Sequence, residues 1–578
     1  MRRFTQLSAI CITLCIAGPS SLRAEPICRT LAPGVVLTQE SVAPPAGPLL
    51  VNILRVDLKT PGVRICAELG RDVVLTDEAA KGREAIGSLA ARHNAVAAIN
   101  ADFFPYTGDP LGIAIRNGEL LSEPMAQRVA FGITAGGLAR FDTLLPVGTL
   151  TSADGTMFAL NGINRPLAKD EIILLTPAYG NRTRVANNGV QVIFQNIPSP
   201  IRAGQEYTVI TGDVQPGDPN APIPASSAVL TAGGAGAEWL RAHVKLGDTI
   251  RLRIDLAPNP LPAGPPRGDL ASRSASLRGR IQKSEWADVE QAVGGGPWLV
   301  REGKVAVDGV EEGFSPADFT GKRHPRTAVG VTSTGEVLLV TVDGRRDTSK
   351  GFTLPELATY MIGLGAINAI NLDGGGSTSM VATSGYVNMP SDGEPRAVAD
   401  ALVVYANVPA VTETTDPPLT LIAGEKAILT GPKGPDGQPI ADPVWGTLEG
   451  KGFVTMNGEI TSTKAGSITA IATVGSARVR ISVTIQAGPP SKIKATLTAS
   501  PNNPPDRNMV SARIVDAYDN PIVGATVEIS ATRGVVDGTP ATTDKDGRVQ
   551  AEVVWDTDKG RSATVRCGQL SAVTVKAK

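Results

Sequence analysis

The sequence predicts an α+β chain in which a β-rich mixed domain with a few covering helices occupies residues 25–407. Two all-β sandwiches then follow, over 419–488 and 489–578. Three observations carry this expectation. Val, Thr, Ala and Ile alternate with polar residues along most of the chain, and 63 glycines with 44 prolines supply the turns that short strands require. The three- and four-residue spacing of an amphipathic helix stands out in two stretches, both in the first domain. A chain of 578 residues holds about three domains of ordinary size.

At the N-terminus, Arg2 and Arg3 precede an apolar run over 7–17, a Gly18-Pro19 break and a small residue, Ala24. This is the layout of a secretory signal peptide over 1–24. No later segment is apolar for long enough to span a bilayer, so the chain is expected to be exported, to the periplasm, the cell surface or the medium. Cys11 and Cys15 leave with the signal. In an oxidising compartment a Cys28–Cys66 bridge is the favoured pairing, with Cys567 left over and three buried free thiols as the other reading.

Residues 51–68 alternate around Leu54, Val56, Leu58, Val63 and Ile65 and read as two strands joined at Thr60-Pro61-Gly62. A helix over 77–93 follows, its apolar face set by Ile86, Leu89, Ala90 and His93. It leads into Ala98-Ile99-Asn100-Ala101-Asp102. Strand-like runs appear at 190–194, 207–211 and 249–254. Residues 328–343 read as a hairpin around Ser333-Thr334-Gly335. The second helix opens at Thr353, where Glu356 completes a capping box, and Gly363 and Gly365 can end it. An apolar strand then runs into Ala369-Ile370-Asn371-Leu372-Asp373-Gly374-Gly375-Gly376-Ser377, repeating the Ala-Ile-Asn-Xaa-Asp pattern. Residues 408–418, rich in Thr and Pro, read as a linker, and Gly488-Pro489-Pro490 divides the tail in two.

Composition excludes some functions. A net charge of −1, with no basic stretch interleaved with aromatics, makes nucleic acid an unsuitable partner. His-Glu-Xaa-Xaa-His, Cys-Xaa-Xaa-Cys, Gly-Xaa-Ser-Xaa-Gly and Walker motifs are all missing, which removes zinc peptidases and P-loop NTPases.

What remains is carboxylate chemistry. Asp102 and Asp373 end matching strands, an arrangement suited to acid and base work on a sugar. The triplet after Asp373 reads as close backbone approach to a ligand, with Ser377 and Thr378 adding hydroxyls. Gly294-Gly295-Gly296-Pro297 is a second triplet, either a partner loop or a bend. Arg326 and Arg345 lie at the two outer ends of the hairpin, placed to clamp one anion, while Arg346 reads as a surface residue. His324 beside them can donate a proton or cap a strand.

Together, residues 100–104, 294–300, 324–330, Asp343-Gly344-Arg345 and residues 371–377 resemble the phosphodiester glycosidase family, over roughly residues 30–406. Asn161-Gly162-Ile163-Asn164-Arg165-Pro166 and Thr176-Pro177-Ala178-Tyr179-Gly180 are similar to its bacterial branch. No cysteine-rich tail of the animal kind is present. The tail resembles bacterial Ig-like domains, the last of the invasin type through Asn520-Pro521-Ile522-Val523-Gly524 and Asp546-Gly547. Such domains space or bind, here toward envelope glycan or protein.

The resemblance implies a hydrolase that releases a sugar from a glycosyl phosphodiester, on a phosphorylated glycan or exopolysaccharide. Asp102, Asp343 and Asp373 form the pool of catalytic carboxylates. Asn100, Gly294, Gly295, His324, Arg326, Thr327, Arg345, Asn371, Gly374, Gly375, Gly376 and Ser377 are the expected substrate contacts. No cofactor is required by these motifs, although three aspartates near a phosphate can hold Ca²⁺ or Mg²⁺ through oxygens. Two other readings stand beside this one: a carbohydrate-binding or adhesive envelope protein, and a hydrolase or lyase of other exopolysaccharide linkages.

Overall fold

The computed structural model describes residues 25–125, 127–186, 188–196, 200–259, 286–383, 385–500, 506–557 and 559–576. The signal peptide expected over 1–24 lies outside them. Among the described residues no helix is long and apolar enough to cross a membrane.

An eight-stranded antiparallel sheet forms the centre of the first domain. Its order is Ile27–Ala32, Val35–Val42, Leu49–Val56, Val337–Val342, Arg326–Thr332, Ala366–Leu372, Trp298–Arg301, Lys304–Val305. Every residue of Arg326–Thr332 and Val337–Val342 is buried, because both faces of these middle strands are covered. On one face lies helix Leu354–Gly363, which starts at the expected Thr353/Glu356 capping box. Its Leu357, Ala358 and Met361 pack with Ile53, Ala328, Val340 and Ala369. The alternate residues Leu54, Val329, Leu339 and Ile370 point the other way and pack with Ile99, Leu402 and Val404 of a second sheet.

That second sheet has nine strands, in the order Thr412–Ile422, Ala477–Gln486, Gly466–Val474, Val444–Glu449, Gly385–Tyr386, Met380–Ala382, Ala97–Asn100, Asp400–Tyr405, Arg64–Leu69. Its first four strands belong to the tail and its last five to the first domain. The join is the pair Tyr386 and Thr447. Val444 and Met456 of the tail also share a core with Val387, and Met456 N–H reaches Gln39 Oε1 at 3.4 Å. The first tail unit is therefore built onto the domain before it. The linker expected over 408–418 runs instead into the edge strand Thr412–Ile422, parallel to Ala477–Gln486. Pro417 and Pro418 fall in a register shift between Asp416 and Leu419, where a missing N–H leaves no ladder partner unsatisfied.

A third, twelve-stranded sheet contains the strands expected at 190–194, 207–211 and 249–254, which lie in Val190–Asn196, Glu206–Pro216 and Thr249–Pro258. It carries Val289–Gly294 between Val129–Thr134 and Ala114–Arg116. The last tail unit packs two four-stranded sheets around Val510, Ile529, Val553, Trp555 and Val565.

Three expectations change. The helix over 77–93 is only Ile86–Arg92, since Lys81 and Gly82 adopt φ 51° and 74° and Glu84–Ala85 pairs as a short strand with Ala397–Val398. The turn at 60–62 links two sheets, with Leu49–Val56 in the first and Arg64–Leu69 in the second. Cys28 and Cys66 are both free, on strands of different sheets, Cys28 exposed and Cys66 buried.

Candidate active site

Asp102 and Asp373 meet, but not through a common sheet. Strand Ala366–Leu372 of the first sheet and strand Ala97–Asn100 of the second end side by side, and their backbones bond directly. Asp373 N–H donates to Ala101 O at 2.9 Å, and Asn100 Nδ2 donates to Asp373 O at 2.7 Å. Thr327 Oγ1 then donates to Asn100 Oδ1 at 2.9 Å. Asn100 and Thr327 are fully buried and fix the backbone of Asp373 rather than facing a ligand.

The three expected catalytic carboxylates differ in freedom. Asp102 is 2 % exposed, and both its oxygens accept backbone N–H groups, from Phe103 at 2.7 Å and Gly112 at 2.6 Å. A Cβ on Gly294 would stand 2.4 Å from Asp102 Oδ2, so that glycine exists for the carboxylate to pack against. Asp343, also 2 % exposed, accepts from Asn388 Nδ2 at 3.3 Å and Met389 N–H at 2.9 Å. Asp373 alone of the three is partly open to solvent, with Oδ1 held by Gly374 N–H at 2.9 Å. Burial pushes its pKa up to about 6 against hydrogen bonds from Ser377 and Gly374, and pushes Asp343 up to about 7.

A fourth carboxylate was not foreseen. Asp400, at the start of strand Asp400–Tyr405, is 1 % exposed and accepts from Asp102 N–H at 2.8 Å through Oδ1, while Oδ2 is buried without a partner. Burial raises its pKa, and the charges of Asp102 and Asp373 raise it further. Thr378 Oγ1, Ser379 Oγ and Asn371 Oδ1 are likewise buried without partners. Asn371 Nδ2 is occupied by Gly296 O and Leu372 O.

Neither glycine triplet is a bare anion cradle. Gly375 N–H donates to Pro325 O at 2.9 Å and Gly295 N–H to Val129 O at 3.1 Å. What the 374–376 turn permits is close approach of side chains. A Cβ on Gly376 would lie 2.2 Å from both Arg396 Nη2 and Asp392 Oδ2, and one on Gly375 3.1 Å from Arg345 Nη2. Arg396 also reaches Ser377 Oγ at 3.4 Å.

The expected clamp is altered. Arg326 is 1 % exposed; its Nε donates to Phe352 O at 3.0 Å and its Nη2 to Phe319 O and Lys322 O at 2.6 and 2.9 Å. It is a structural tie, and Arg345 remains as the exposed cation. His324 sits beside Arg345, with Nδ1 3.2 Å from Arg345 Nη2 and Nε2 3.1 Å from Asp318 O. Burial lowers its pKa, which favours the neutral imidazole beside Arg345. Arg346, expected at the surface, is partly buried against Asp343, and its Nε is buried without a partner.

Sequence reasoning also missed Arg128, which precedes strand Val129–Thr134 and carries no motif. Its guanidinium lies 4.4 Å from the Phe314 ring centroid and 5.1 Å from that of Phe103, in the field of Asp102, Glu312 and Asp373.

Ca²⁺ and Mg²⁺ bind through free oxygens, which here are Asp400 Oδ2, Asn371 Oδ1, Thr378 Oγ1 and Ser379 Oγ. The carboxylate oxygens of Asp102 and Asp343 each face an N–H donor. Elsewhere Glu68, Asp72 and His93 bring ligating atoms within 4.8 Å of one another. Arg116 occupies that cluster, 3.4 Å from Glu68 and 2.8 Å from Asp72.

Residues 264–405 match the family model described as phosphodiester glycosidase. The human N-acetylglucosamine-1-phosphodiester alpha-N-acetylglucosaminidase is 32 % identical over 128 residues, 20 % of this chain and 25 % of that one. The SPbeta prophage-derived uncharacterized protein YomE of Bacillus subtilis (strain 168) is 39 % identical over 109 residues, 19 % of this chain and 16 % of that one. The chain thus spans a quarter or less of the length of these relatives. A hypothetical protein from Synechocystis of known crystal structure shares the fold, with a TM-score of 0.51 at 22 % identity over 66 % of this chain and 64 % of that one. The family match thus covers the later part of the first domain.

Proposed function

We propose that the first domain is a phosphodiester glycosidase that hydrolyses the bond between an anomeric carbon and a phosphodiester oxygen, in a chain exported to the periplasm or beyond. The observation that carries the reading is Asp373. It is partly open, fixed at a strand end by Asn100 and in the field of Arg396 and Arg128, with Arg345 against Gly375 two residues on. The Asp373 carboxylate either attacks the anomeric carbon, forming a glycosyl ester that a water then hydrolyses, or takes a proton from a water whose oxygen attacks that carbon. The C–O bond breaks as its electron pair leaves with the phosphate. Because a phosphate monoester departs as a stabilised anion, guanidinium groups can take the place of a strong general acid. Asp102 and Asp343, with their oxygens engaged, hold the loops of the site in place.

Incubating the purified chain with a panel of glycosyl phosphodiesters and following products by phosphorus NMR tests this. Release of a phosphate monoester and free sugar is expected. Sugar binding with no product would favour an envelope adhesin instead, and cleavage confined to neutral glycosidic linkages would favour another polysaccharide hydrolase.

A further inference from the structure

We propose that Arg128 is the residue that grips the non-bridging oxygens of the phosphodiester, and so selects anionic leaving groups over neutral ones. This deepens the functional reading above and rests on it for the identity of the substrate.

The argument is one of missing acceptors. Arg128 Nε and Nη1 are both buried and lack a hydrogen-bond partner among the described residues. A guanidinium presents five N–H donors in a rigid fork, and leaving them dry and unpaired costs far more than a single neutral bond gains. The carboxylates nearest in charge do not supply the partner. Asp102 directs its oxygens at Phe103 and Gly112 N–H, and Glu312 directs Oε1 at Trp298 N–H, 2.7 Å away, and Oε2 at Val129 N–H, 3.1 Å away. Among the described residues none of the three carboxylates comes within 4.0 Å of Arg128 as an ion pair.

Glu312 is moreover pushed up to about 7, chiefly by burial, so much of its charge is absent near neutrality. Phe103 and Phe314 lie within 5.4 Å of each other and both contact the guanidinium, holding its position while making no claim on its N–H edge. A cation so placed, with empty donors, over the Phe103 ring that follows Asp102 and in the field of Asp373, is complementary to a phosphate next to the anomeric carbon. Planar donors suit paired phosphate oxygens. Arg396 is already paired with Asp392 through two nitrogens, Arg326 is committed to carbonyls, and Arg346 has only Nε without a partner and lies against Asp343, so Arg128, with two empty nitrogens, is the inner cation with most donors left for the substrate.

The test compares wild type, Arg128→Met and Arg128→Lys on a glycosyl phosphodiester and on the p-nitrophenyl glycoside of the same sugar, with calorimetric titration of inorganic phosphate into each. For Arg128→Met, kcat/KM on the phosphodiester should fall about 100-fold or more, while the neutral glycoside loses less than about tenfold. Phosphate binding should disappear, and Arg128→Lys should restore part of both. Equal losses on the two substrates, with the acid limb of the pH profile displaced, would mean that Arg128 only tunes Asp102 and Asp373. Phosphate binding unchanged in folded Arg128→Met, or absent from wild type, overturns the proposal as well. If wild type binds phosphate through Arg128 yet turns over no phosphodiester, the anion site stands and the hydrolase reading fails.

Discussion

Two strand ends carry the same Ala-Ile-Asn-Xaa-Asp pattern and meet at one point, yet they give their aspartates opposite fates. At 98–102 the chain turns through Phe103 and returns at Gly112, so two backbone amides close on Asp102 and Gly294 packs against it. At 369–373 it enters a glycine turn that gives one amide to Asp373 Oδ1 and leaves the carboxylate partly open between Arg396 and Arg128. The strands bring both carboxylates to one place. The loops that follow decide which of them can react.

The sharpest way to break this contrast is Asp373→Asn. The change keeps size and the Gly374 contact but removes the negative charge, so kcat/KM on a glycosyl phosphodiester should drop at least about 10³-fold with the thermal midpoint little changed. Retained turnover would move the chemistry away from Asp373. A smaller effect comes from pH alone. With Asp373 at about 6, the reactive carboxylate is protonated as pH falls, and kcat/KM should decline about tenfold between pH 7 and pH 5. In Asp373→Asn the remaining activity should lose that limb.

The locked end should respond differently. Asp102→Asn replaces one acceptor oxygen by an NH₂ group, which opposes the N–H of either Phe103 or Gly112. The expected cost is about 1–3 kcal/mol of stability, read by denaturant unfolding, with a much smaller loss of turnover than at Asp373. Gly294→Ala should behave in the same way, because its new methyl drives into Asp102 Oδ2. If either variant lost activity as completely as Asp373→Asn while staying folded, the division of labour would be wrong.

Local sequence made part of this legible. The Thr353/Glu356 capping box, the hairpin turn at Gly335 and the two aspartates at strand ends are short-range signals, and the structure has all of them. The rest depended on long-range packing. Arg326 and Arg345 stand at similar hairpin positions, yet carbonyls from 319, 322 and 352 enclose only the first. Arg128 and Asp400 carry no motif and gain meaning only because the third sheet and the 400–405 strand deliver them beside Asp373. The prolines at 417 and 418 read as a linker because a parallel partner about 65 residues on, and the bulge that accommodates them, are invisible in a local window.

The smallest expected effect concerns the whole buried set. Asp343 and Glu312, each pushed up to about 7 mainly by burial, bind protons more readily folded than unfolded, where carboxyls titrate near 4. Their contribution to stability is therefore complete below about pH 4 and is lost as pH rises through about 7. Tail carboxylates such as Asp516 and Asp544 are shifted downward and stay ionised throughout that upper range, and His324, shifted down by burial, is neutral there. Between pH 6.5 and 8 the raised carboxyls, Asp400 among them, thus dominate the slope. The thermal midpoint of the full chain should be about 1 °C higher at pH 6.5 than at pH 8, roughly the change expected for 1 kcal/mol in a chain of 578 residues. A profile that is flat or rises toward pH 8 would mean these carboxyls are solvated, and the enclosure that distinguishes the locked aspartates from Asp373 would be far looser than the structure has it.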